Sequence, residues 1–145
     1  MAIRYFEEEG VKARLQHKRR LNTFIKEQVI DVHLDLKKVE INYIFCTDEG
    51  LLEKNIAFLN HDTLTDIITF DLSEQEDELQ SEIYISVDRV ADNAQQFGVS
   101  YQKELHRVLF HGILHLCGFK DKKPAEAQEM RRQEDLCLNA YFQEK

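Results

Sequence analysis

Apolar and polar residues alternate along four short stretches of the chain. Alternation at every second position places one set of side chains on each face of an extended strand. These stretches are also rich in residues that favour strands, such as valine, isoleucine, phenylalanine and tyrosine. The sequence therefore predicts four strands, "IRYFEE" at 3–8, "VEINYIF" at 39–45, "TDIITFDL" at 65–72 and "SEIYISV" at 81–87.

Helical spacing of apolar residues, or a clear signal at a helix end, marks the remaining stretches. Thr47 and Ser100 are suitable N-caps, Gly98 and Gly118 are suitable stops, and Pro124 is favourable in a first turn. The sequence predicts five helices, at 11–30, 48–59, 88–98, 101–117 and 124–142.

These elements define an expected fold class. The 145 residues contain no repeats and no linker rich in proline, glycine or serine. A chain of this length buries a sufficient hydrophobic core without disulfides or structural metals. We expect an α+β fold, with one mixed sheet of about four strands packed with about five helices, in a single domain that spans residues 1–145.

Composition indicates the cellular compartment in which the protein is expected. No apolar run has the length of a bilayer span, and the N-terminus "MAIRYFEEEG" lacks the pattern of a secretory signal. Cys46, Cys117 and Cys137 are scattered and odd in number, which suits reduced thiols. The sequence therefore predicts a cytoplasmic protein without a membrane segment.

The net charge of −8 argues against a protein that coats nucleic acid by charge alone. The charges are uneven, however, because 11–26 is strongly basic and 72–82 is strongly acidic. We interpret the basic stretch as a solvated helix face. A local basic patch on a nuclease stays compatible with the overall charge.

The stretch "HGILHLCGFKD" at 111–121 contains three possible metal ligands, His111, His115 and Asp121. Residues four apart on a helix are separated by about 40° of rotation and one turn, so both imidazoles can reach one ion. A left-handed Gly118 would let the chain turn back and bring Asp121 over the pair. Spacing alone leaves two interpretations equally open, a metal centre and the polar edge of an ordinary core helix.

If the stretch binds a metal, two imidazoles and one carboxylate leave a coordination position for water, which is typical of catalytic zinc. Zinc would lower the pKa of that water to near ~7. In the metalloprotease pattern HExxH, a glutamate follows the first histidine, but Gly112 occupies that position here. A glycine inside a helix also suggests close approach by another backbone or by a substrate.

The other candidate ligands have structural interpretations. His106 projects almost opposite to the predicted pair, so we expect a structural role. His17, His33 and His61 have no local partner and are predicted at the surface. Cys117 points away from His115 and is predicted in the core.

The stretch resembles the signature of the YbeY family, bacterial zinc-dependent endoribonucleases of ribosomal RNA maturation, whose motif is approximately HGxLHLxGxDH. Two departures stand at its end. Lys120 occupies the family's aspartate position, and Asp121 stands where the third zinc-binding histidine is usual. The matching residues are His111, Gly112, Leu114, His115, Leu116 and Gly118.

A second segment, "NIAFLNHDTLTDIITF", resembles the family's "N…R…PTDVLSF". Leu59 aligns with the family's arginine and Leu64 with its proline. Since leucine cannot bind a scissile phosphate, RNA cleavage would need another cation. Lys120, Lys122 and Lys123 are the candidate substrate-binding residues, and a charged surface loop explains them equally well. The matching residues are Asn55, Thr65, Asp66 and Phe70.

The resemblance implies a single-strand-specific, zinc-dependent endoribonuclease acting in ribosomal RNA maturation and ribosome quality control. One zinc ion per chain would be held by His111, His115 and Asp121, with small-subunit ribosomal RNA and the ribosome or its proteins as partners. A zinc-bound water would be the attacking group. Thr65 and Asp66 would orient the site, although a strand cap explains both equally well.

Two alternatives stay open. The first is a non-catalytic, zinc-containing ribosome-assembly factor, which the leucine at position 59 and the acidic balance favour. The second is another zinc hydrolase of the peptidase type. Gly112 argues against a peptidase, unless a glutamate such as Glu126 or Glu129 reaches the metal from elsewhere in the fold.

Overall fold

A mixed sheet of four strands lies at the centre of the computed structural model, which describes residues 1–59 and 65–143. The strand order is β1-β2-β4-β3. The first two pairs are parallel, and β3 runs antiparallel to β4 at one edge. The strands are β1 (Ala2–Glu7), β2 (Lys38–Cys46), β3 (Ile67–Asp71) and β4 (Glu78–Ser86).

Five helical segments pack on this sheet within the described ranges. The first is continuous and changes pitch, because α1 (Lys18–Phe24) leads through a π-helical stretch (Ile25–Ile30) into α2 (Asp31–His33). The α+β prediction, with one mixed sheet of four strands and five helices, is therefore confirmed. The other helices are α3 (Asp48–Leu59), α4 (Val87–Phe97), α5 (Tyr101–Leu116) and α6 (Pro124–Phe142).

The prediction that the first helix begins at residue 11 was wrong, because helix α1 begins at Lys18. The preceding segment instead crosses the start of α5 and buries Val11 and Ala13. The backbone N–H of Ala13 donates to Glu7, and its carbonyl accepts from the Tyr101 hydroxyl at 2.8 Å. Apolar spacing in this segment thus reflects tertiary packing rather than a helix face.

Strand bounds also differ from the predictions. Strand β4 begins at Glu78, three residues before the predicted start at 81, because its first residues pair with β2 from Lys38 onwards. Strand β3 covers only Ile67–Asp71 of the predicted 65–72. Backbone hydrogen bonds to β4 nevertheless continue one residue beyond each end, because the Asp66 carbonyl accepts from the Ser86 N–H and the Leu72 N–H donates to the Gln80 carbonyl.

The predicted helix ends are confirmed at several positions. The hydroxyl of Thr47 accepts from the Gly50 N–H, and that of Ser100 accepts from the Lys103 N–H. Gly98 adopts the left-handed conformation that ends α4. Gly118, with φ of 105°, lets the chain reverse after α5, so residues 119–121 return toward the helix they have just left.

Helix α5 lies across the sheet and is the most buried element of the site. The Tyr43 hydroxyl, from the middle of β2, donates to the Leu109 carbonyl at 3.0 Å. Tyr43, Ile83 and Leu109 are all completely buried, and burial of a large apolar side chain contributes about 1.5–3 kcal/mol. This packing fixes the last two turns of α5, which carry His111 and His115, beside the edge strand β3.

Gly112 is buried where α5 packs against the sheet. A Cβ at this position would lie 3.0 Å from Ile67 Cδ1 and 3.2 Å from Ile83 Cδ1. The expected close approach is therefore real, but it is made by side chains of β3 and β4. The suggestion of a substrate or a backbone against Gly112 was wrong.

No helix in the described residues is long and apolar enough to span a membrane.

Candidate metal centre

His111 and His115 lie side by side on the last two turns of α5, as their spacing predicts. Their ring centroids are 4.5 Å apart, and the rings are almost perpendicular. The two side chains keep 20% and 30% of their surface exposed. The pair therefore borders the core and opens to solvent on one side, as a site that receives a substrate requires.

Asp121 completes the cluster after the chain reverses at Gly118. Its Oδ2 atom lies 3.3 Å from His111 Nε2 and 3.3 Å from His115 Nε2. Three ligand atoms from the three side chains lie within 4.8 Å of one another. Among the residues that the structure describes, this is the one group of three or more histidine, cysteine or acidic side chains with that geometry.

The second nitrogen of each ring is already bonded to an acceptor. His111 Nδ1 lies 2.6 Å from Glu134 Oε2, and His115 Nδ1 lies 2.9 Å from the Phe119 carbonyl oxygen. A carboxylate and a carbonyl only accept hydrogen bonds, so in both rings Nδ1 carries the proton and donates. In a neutral ring this leaves the lone pair on Nε2, which faces Asp121.

This donor set fits a divalent metal ion. Two nitrogen lone pairs and a carboxylate oxygen converge on one point and repel one another unless a positive charge lies between them. Ligand atoms about 2.0–2.1 Å from a tetrahedral ion are separated from each other by roughly 3.3 Å. The two separations from Asp121 have this value. Metal-ligating histidines also typically donate their other N–H to a carboxylate or carbonyl.

The charged groups around His111 favour a positive charge on its ring. Burial of the ring disfavours its protonated form. The hydrogen bond to Glu134 and the charges of Glu134, Asp121 and Asp66 outweigh this effect, so the pKa of His111 is raised above 6.5. The surroundings thus favour a positive charge on the His111 ring.

The cluster lines a cleft of about 760 Å³. Asp66 lies at the start of β3, and burial raises the pKa of its carboxyl, against the opposing charge of His111. The Thr65 hydroxyl donates to the Ile67 carbonyl at 3.4 Å, a local bond typical of a strand cap. Residues lining the cleft are Asn55, Leu59, Thr65, Asp66, Ile67, Ile68, Thr69, Asp71, His111, His115, Leu116, Asp121 and Lys122.

The structure separates the three candidate lysines. All are exposed, but Lys122 alone among them lines the cleft. The backbone N–H of Lys123 donates to Glu126 at the start of α6, and Lys120 directly precedes Asp121. Leu59 lines the cleft from the end of α3. Leu64 lies outside the described residues.

The remaining histidines behave as predicted where they are described. His106 is buried and donates from Nδ1 to the Gln102 carbonyl. His17 and His33 are exposed, and the His33 ring meets Phe119 edge-on. His61 lies outside the described residues. Cys117 is half-buried among core residues, and burial raises the pKa of its thiol to about 12.

Glu134, which lies 2.6 Å from His111 Nδ1, was not among the residues predicted from the sequence. The predicted candidates were Glu126 and Glu129, but Glu126 caps α6, and Glu129 accepts hydrogen bonds from Arg132 and Gln133. One signal could have found Glu134. It lies four residues from Met130 and four from Leu138, both buried, so an acidic residue occupies a core-facing position of α6.

The fold and the His-His-Asp cluster define an α+β protein with a candidate metal centre on a helix that crosses the sheet. The family model described as Endoribonuclease YbeY matches residues 6–142. The chain belongs to the YbeY endoribonuclease family.

Individual relatives agree with this assignment. A protein named Endoribonuclease YbeY from Bacteroides thetaiotaomicron is 46% identical over 138 residues, which are 95% of this chain and 98% of that protein. One with the same name from Flavobacterium johnsoniae is 58% identical over 96 residues, 66% of this chain and 68% of its own length. The solution structure of TM1509 from Thermotoga maritima has a TM-score of 0.65 and 28% identity, and covers 99% of this chain and 91% of that chain.

Proposed function

We propose that this chain is a single-strand-specific, zinc-dependent endoribonuclease that acts in ribosomal RNA maturation and ribosome quality control. Residues 1–145 would form one metal-dependent hydrolase domain. The observation that carries the proposal is that His111 Nε2 and His115 Nε2 each lie 3.3 Å from Asp121 Oδ2, in a cleft, in a member of this family.

In this proposal His111, His115 and Asp121 hold one zinc ion per chain. When bound, zinc stabilises negative charge on the phosphodiester and lowers the pKa of a water molecule. The protein's own contribution is to hold both Nε2 atoms toward Asp121 through the bonds that Nδ1 makes to Glu134 and Phe119. A carboxylate as the third ligand reduces the net positive charge of the centre relative to three histidines.

The cleft would receive a single-stranded RNA segment beside the metal. Lys122 lines the cleft and would attract the phosphate backbone, with Lys120 and Lys123 as the neighbouring cations. Thr65 and Asp66 line the same cleft and would orient groups at the site. Since the chain carries a net charge of −8, binding would depend on these local cations rather than on a general attraction to nucleic acid.

The proposal also includes the partners and the cellular location of the protein. The relatives are named as endoribonucleases, so the partner class is RNA, for which we propose small-subunit ribosomal RNA on the ribosome or with its proteins. We propose a cytoplasmic location. Cys46, Cys117 and Cys137 are free thiols, as expected in a reducing compartment.

The test combines zinc content with cleavage of a single-stranded ribosomal RNA fragment. We expect about one zinc per chain in the natural protein, and loss of both zinc and cleavage in Asp121→Ala. Asp121→His provides another nitrogen ligand and should keep zinc. Asp92→Asn is the matched control, because that carboxylate pairs with Arg89 on α4 and does not line the cleft.

Two results would contradict the proposal. A natural protein without stoichiometric zinc would remove the metal centre. Cleavage that persists after a chelator has removed the metal would show that the reaction does not depend on the ion. Circular dichroism of the zinc-free protein distinguishes lost chemistry from lost fold, because a metal that mainly stabilises structure would unfold the chain when removed.

A non-catalytic assembly factor is the second candidate, and Leu59 favours it. This side chain lines the cleft at the family's arginine position, and Lys122 is the one lysine or arginine among the described lining residues. We expect Leu59→Arg to raise RNA affinity by about tenfold through one added phosphate contact. If Leu59→Arg cleaves RNA and the natural protein binds zinc without cleaving, the assembly factor becomes the better explanation.

The peptidase alternative loses support at Gly112. A glutamate there would need space where even a Cβ meets Ile67 and Ile83 at 3.0 and 3.2 Å. Glu134 does approach the cluster, but it bonds to Nδ1 of His111, on the side of the ring away from Asp121. Neither position supplies the general base that such a peptidase uses.

A further inference from the structure

A buried chain of hydrogen bonds connects His111 to the surface of α6. Glu134 receives the His111 Nδ1 proton on Oε2 at 2.6 Å and an Arg107 Nη1 proton on Oε1 at 2.9 Å. Arg107 then donates from Nη2 to Asp135 Oδ1 at 2.7 Å. The side chains of Glu134 and Arg107 are only 6% and 14% exposed, whereas that of Asp135 is 52% exposed.

This arrangement differs from that of the other histidine. His115 donates Nδ1 to the Phe119 carbonyl, a neutral acceptor supplied by the turn that follows α5. His111 donates to a full negative charge on a different helix. Burial of a carboxylate is strongly unfavourable unless it is paired and hydrogen-bonded. Arg107 provides this pairing, and its planar fork can bond Glu134 and Asp135 at once.

We infer that Arg107 and Glu134 are positioning residues that hold His111 as a metal ligand, with Arg107 acting through Glu134. The inference rests on the proposed function, because it requires His111 to bind the metal. Glu134 fixes the proton on Nδ1 and the direction of the ring, and its charge makes Nε2 a stronger donor to the ion. Arg107 holds the carboxylate in the one position where it can do both.

The geometry explains why both residues are needed. Glu134 lies on α6 and Arg107 on α5, one turn before His111, so the guanidinium ties the two helices together beside the ligand. Without Arg107, the nearest other described cation is Arg131, whose Nη1 lies 3.9 Å from Glu134 Oε1. That longer contact comes from a half-exposed side chain and orients the carboxylate poorly.

The first experiment measures zinc affinity by competition with a chromophoric chelator, without RNA. We expect Glu134→Gln to weaken zinc binding by about 10- to 100-fold, the usual effect of losing such an outer partner. Glu104→Gln is the matched control. Glu104 is similarly buried and its Oε1 lies 4.0 Å from Arg107 Nε, but no hydrogen bond or ion pair joins it to His111 among the described residues. We expect its zinc affinity within about threefold of the natural protein.

The second experiment tests whether Arg107 acts through Glu134. Arg107→Lys keeps the charge but loses the fork, and it should weaken zinc binding by several-fold in the natural background. In the Glu134→Gln background the same change should have almost no further effect, because the carboxylate it positions is gone. The His111 Nδ1 proton gives an independent reading, since its downfield NMR resonance in the zinc-loaded protein should move upfield in both single variants.

The outcomes separate the two proposals. If the natural protein binds no zinc, the metal centre and the positioning role both fail. If it binds zinc and Glu134→Gln matches it, or Glu104→Gln is as damaging, only the positioning role fails. Additive effects of Arg107→Lys and Glu134→Gln would refute the action of Arg107 through Glu134. Thermal unfolding of each zinc-free variant identifies any variant that has lost its fold. If Glu134→Gln does not fold, the zinc affinity of Arg107→Lys tests the positioning role instead.

Discussion

Helix α5 carries two kinds of histidine only five residues apart. His106 is 3% exposed and is enclosed by Tyr141 and Phe142, with ring centroids at 5.2 and 5.0 Å. His111 lies at the cleft and meets Glu134 on one nitrogen and Asp121 on the other. The same residue type therefore serves packing in one turn and a candidate metal centre in the next.

The difference follows from the rotation of the helix and from what packs against each side. Five residues turn the helix by about 140° relative to its starting direction, so the two side chains face different neighbours. Both His106 and His115 donate Nδ1 to a backbone carbonyl, so this bond does not distinguish a ligand. The distinguishing feature is a carboxylate facing Nε2, which His111 and His115 have. No ion pair of His106 occurs among the described residues.

The largest expected effect is on zinc binding, which should distinguish His111 and His115 from His106. His111→Ala and His115→Ala should each weaken zinc binding by more than about 100-fold, because two remaining ligands hold zinc poorly. His106→Ala should still bind about one zinc per chain. Zinc titration of the three variants checks this. Loss of zinc from a folded His106→Ala variant would contradict the proposed metal centre, because it would place the metal on the side of α5 that carries His106.

The second effect concerns stability and has the opposite order. His106→Ala removes a buried ring from an aromatic cluster and should lower the free energy of unfolding of the zinc-free protein by about 2–3 kcal/mol. His115→Ala, with a side chain 30% exposed, should lower it by less than about 1 kcal/mol. Urea denaturation measures both. Equal losses would mean that the two rings contribute alike to packing.

The third effect is a dependence of stability on pH. Burial lowers the pKa of His106, so below about 6.5 the unfolded chain takes up a proton that the folded chain resists. The resulting stability is present above 6.5 and is lost as the pH falls toward the folded pKa, by at most about 1.4 kcal/mol per pH unit. His106→Gln should therefore flatten the fall in stability between pH 7.5 and 5.5. An unchanged slope would exclude His106 as its source.

The smallest effect tests the contact that places α5 on the sheet. Gly112→Ala adds a Cβ at 3.0 Å from Ile67 and 3.2 Å from Ile83, and this crowding lowers stability. The higher helix propensity of alanine offsets part of the loss. We expect a net loss of about 1 kcal/mol in urea denaturation. Zinc affinity should fall by a few-fold, because His111 is the adjacent residue, while the aromatic cluster around His106 keeps its near-ultraviolet dichroism. A more stable variant would show that Ile67 and Ile83 move aside freely.

Several features of the fold were predictable because they depend on neighbouring residues. The bounds of α3 at Asp48–Leu59 match the predicted 48–59, and Ser100 and Gly98 act at the helix ends as expected. The start of the first helix was not predictable in the same way. Val11 and Ala13 have apolar spacing because the rest of the fold covers them, and a local pattern does not reveal which partner buries a side chain.

The sequence by itself determined the local half of the candidate site. Helical geometry brings His111 and His115 together, and the turn at Gly118 returns the chain, so Asp121 reaches both within eleven residues. Only the tertiary structure decided what surrounds them. Glu134 lies 23 residues from His111 on another helix, and Arg107 reaches across to it. Backbone hydrogen bonding has a fixed period that a sequence displays directly. The packing of two helices depends on the summed burial of many distant side chains, so no short stretch contains it.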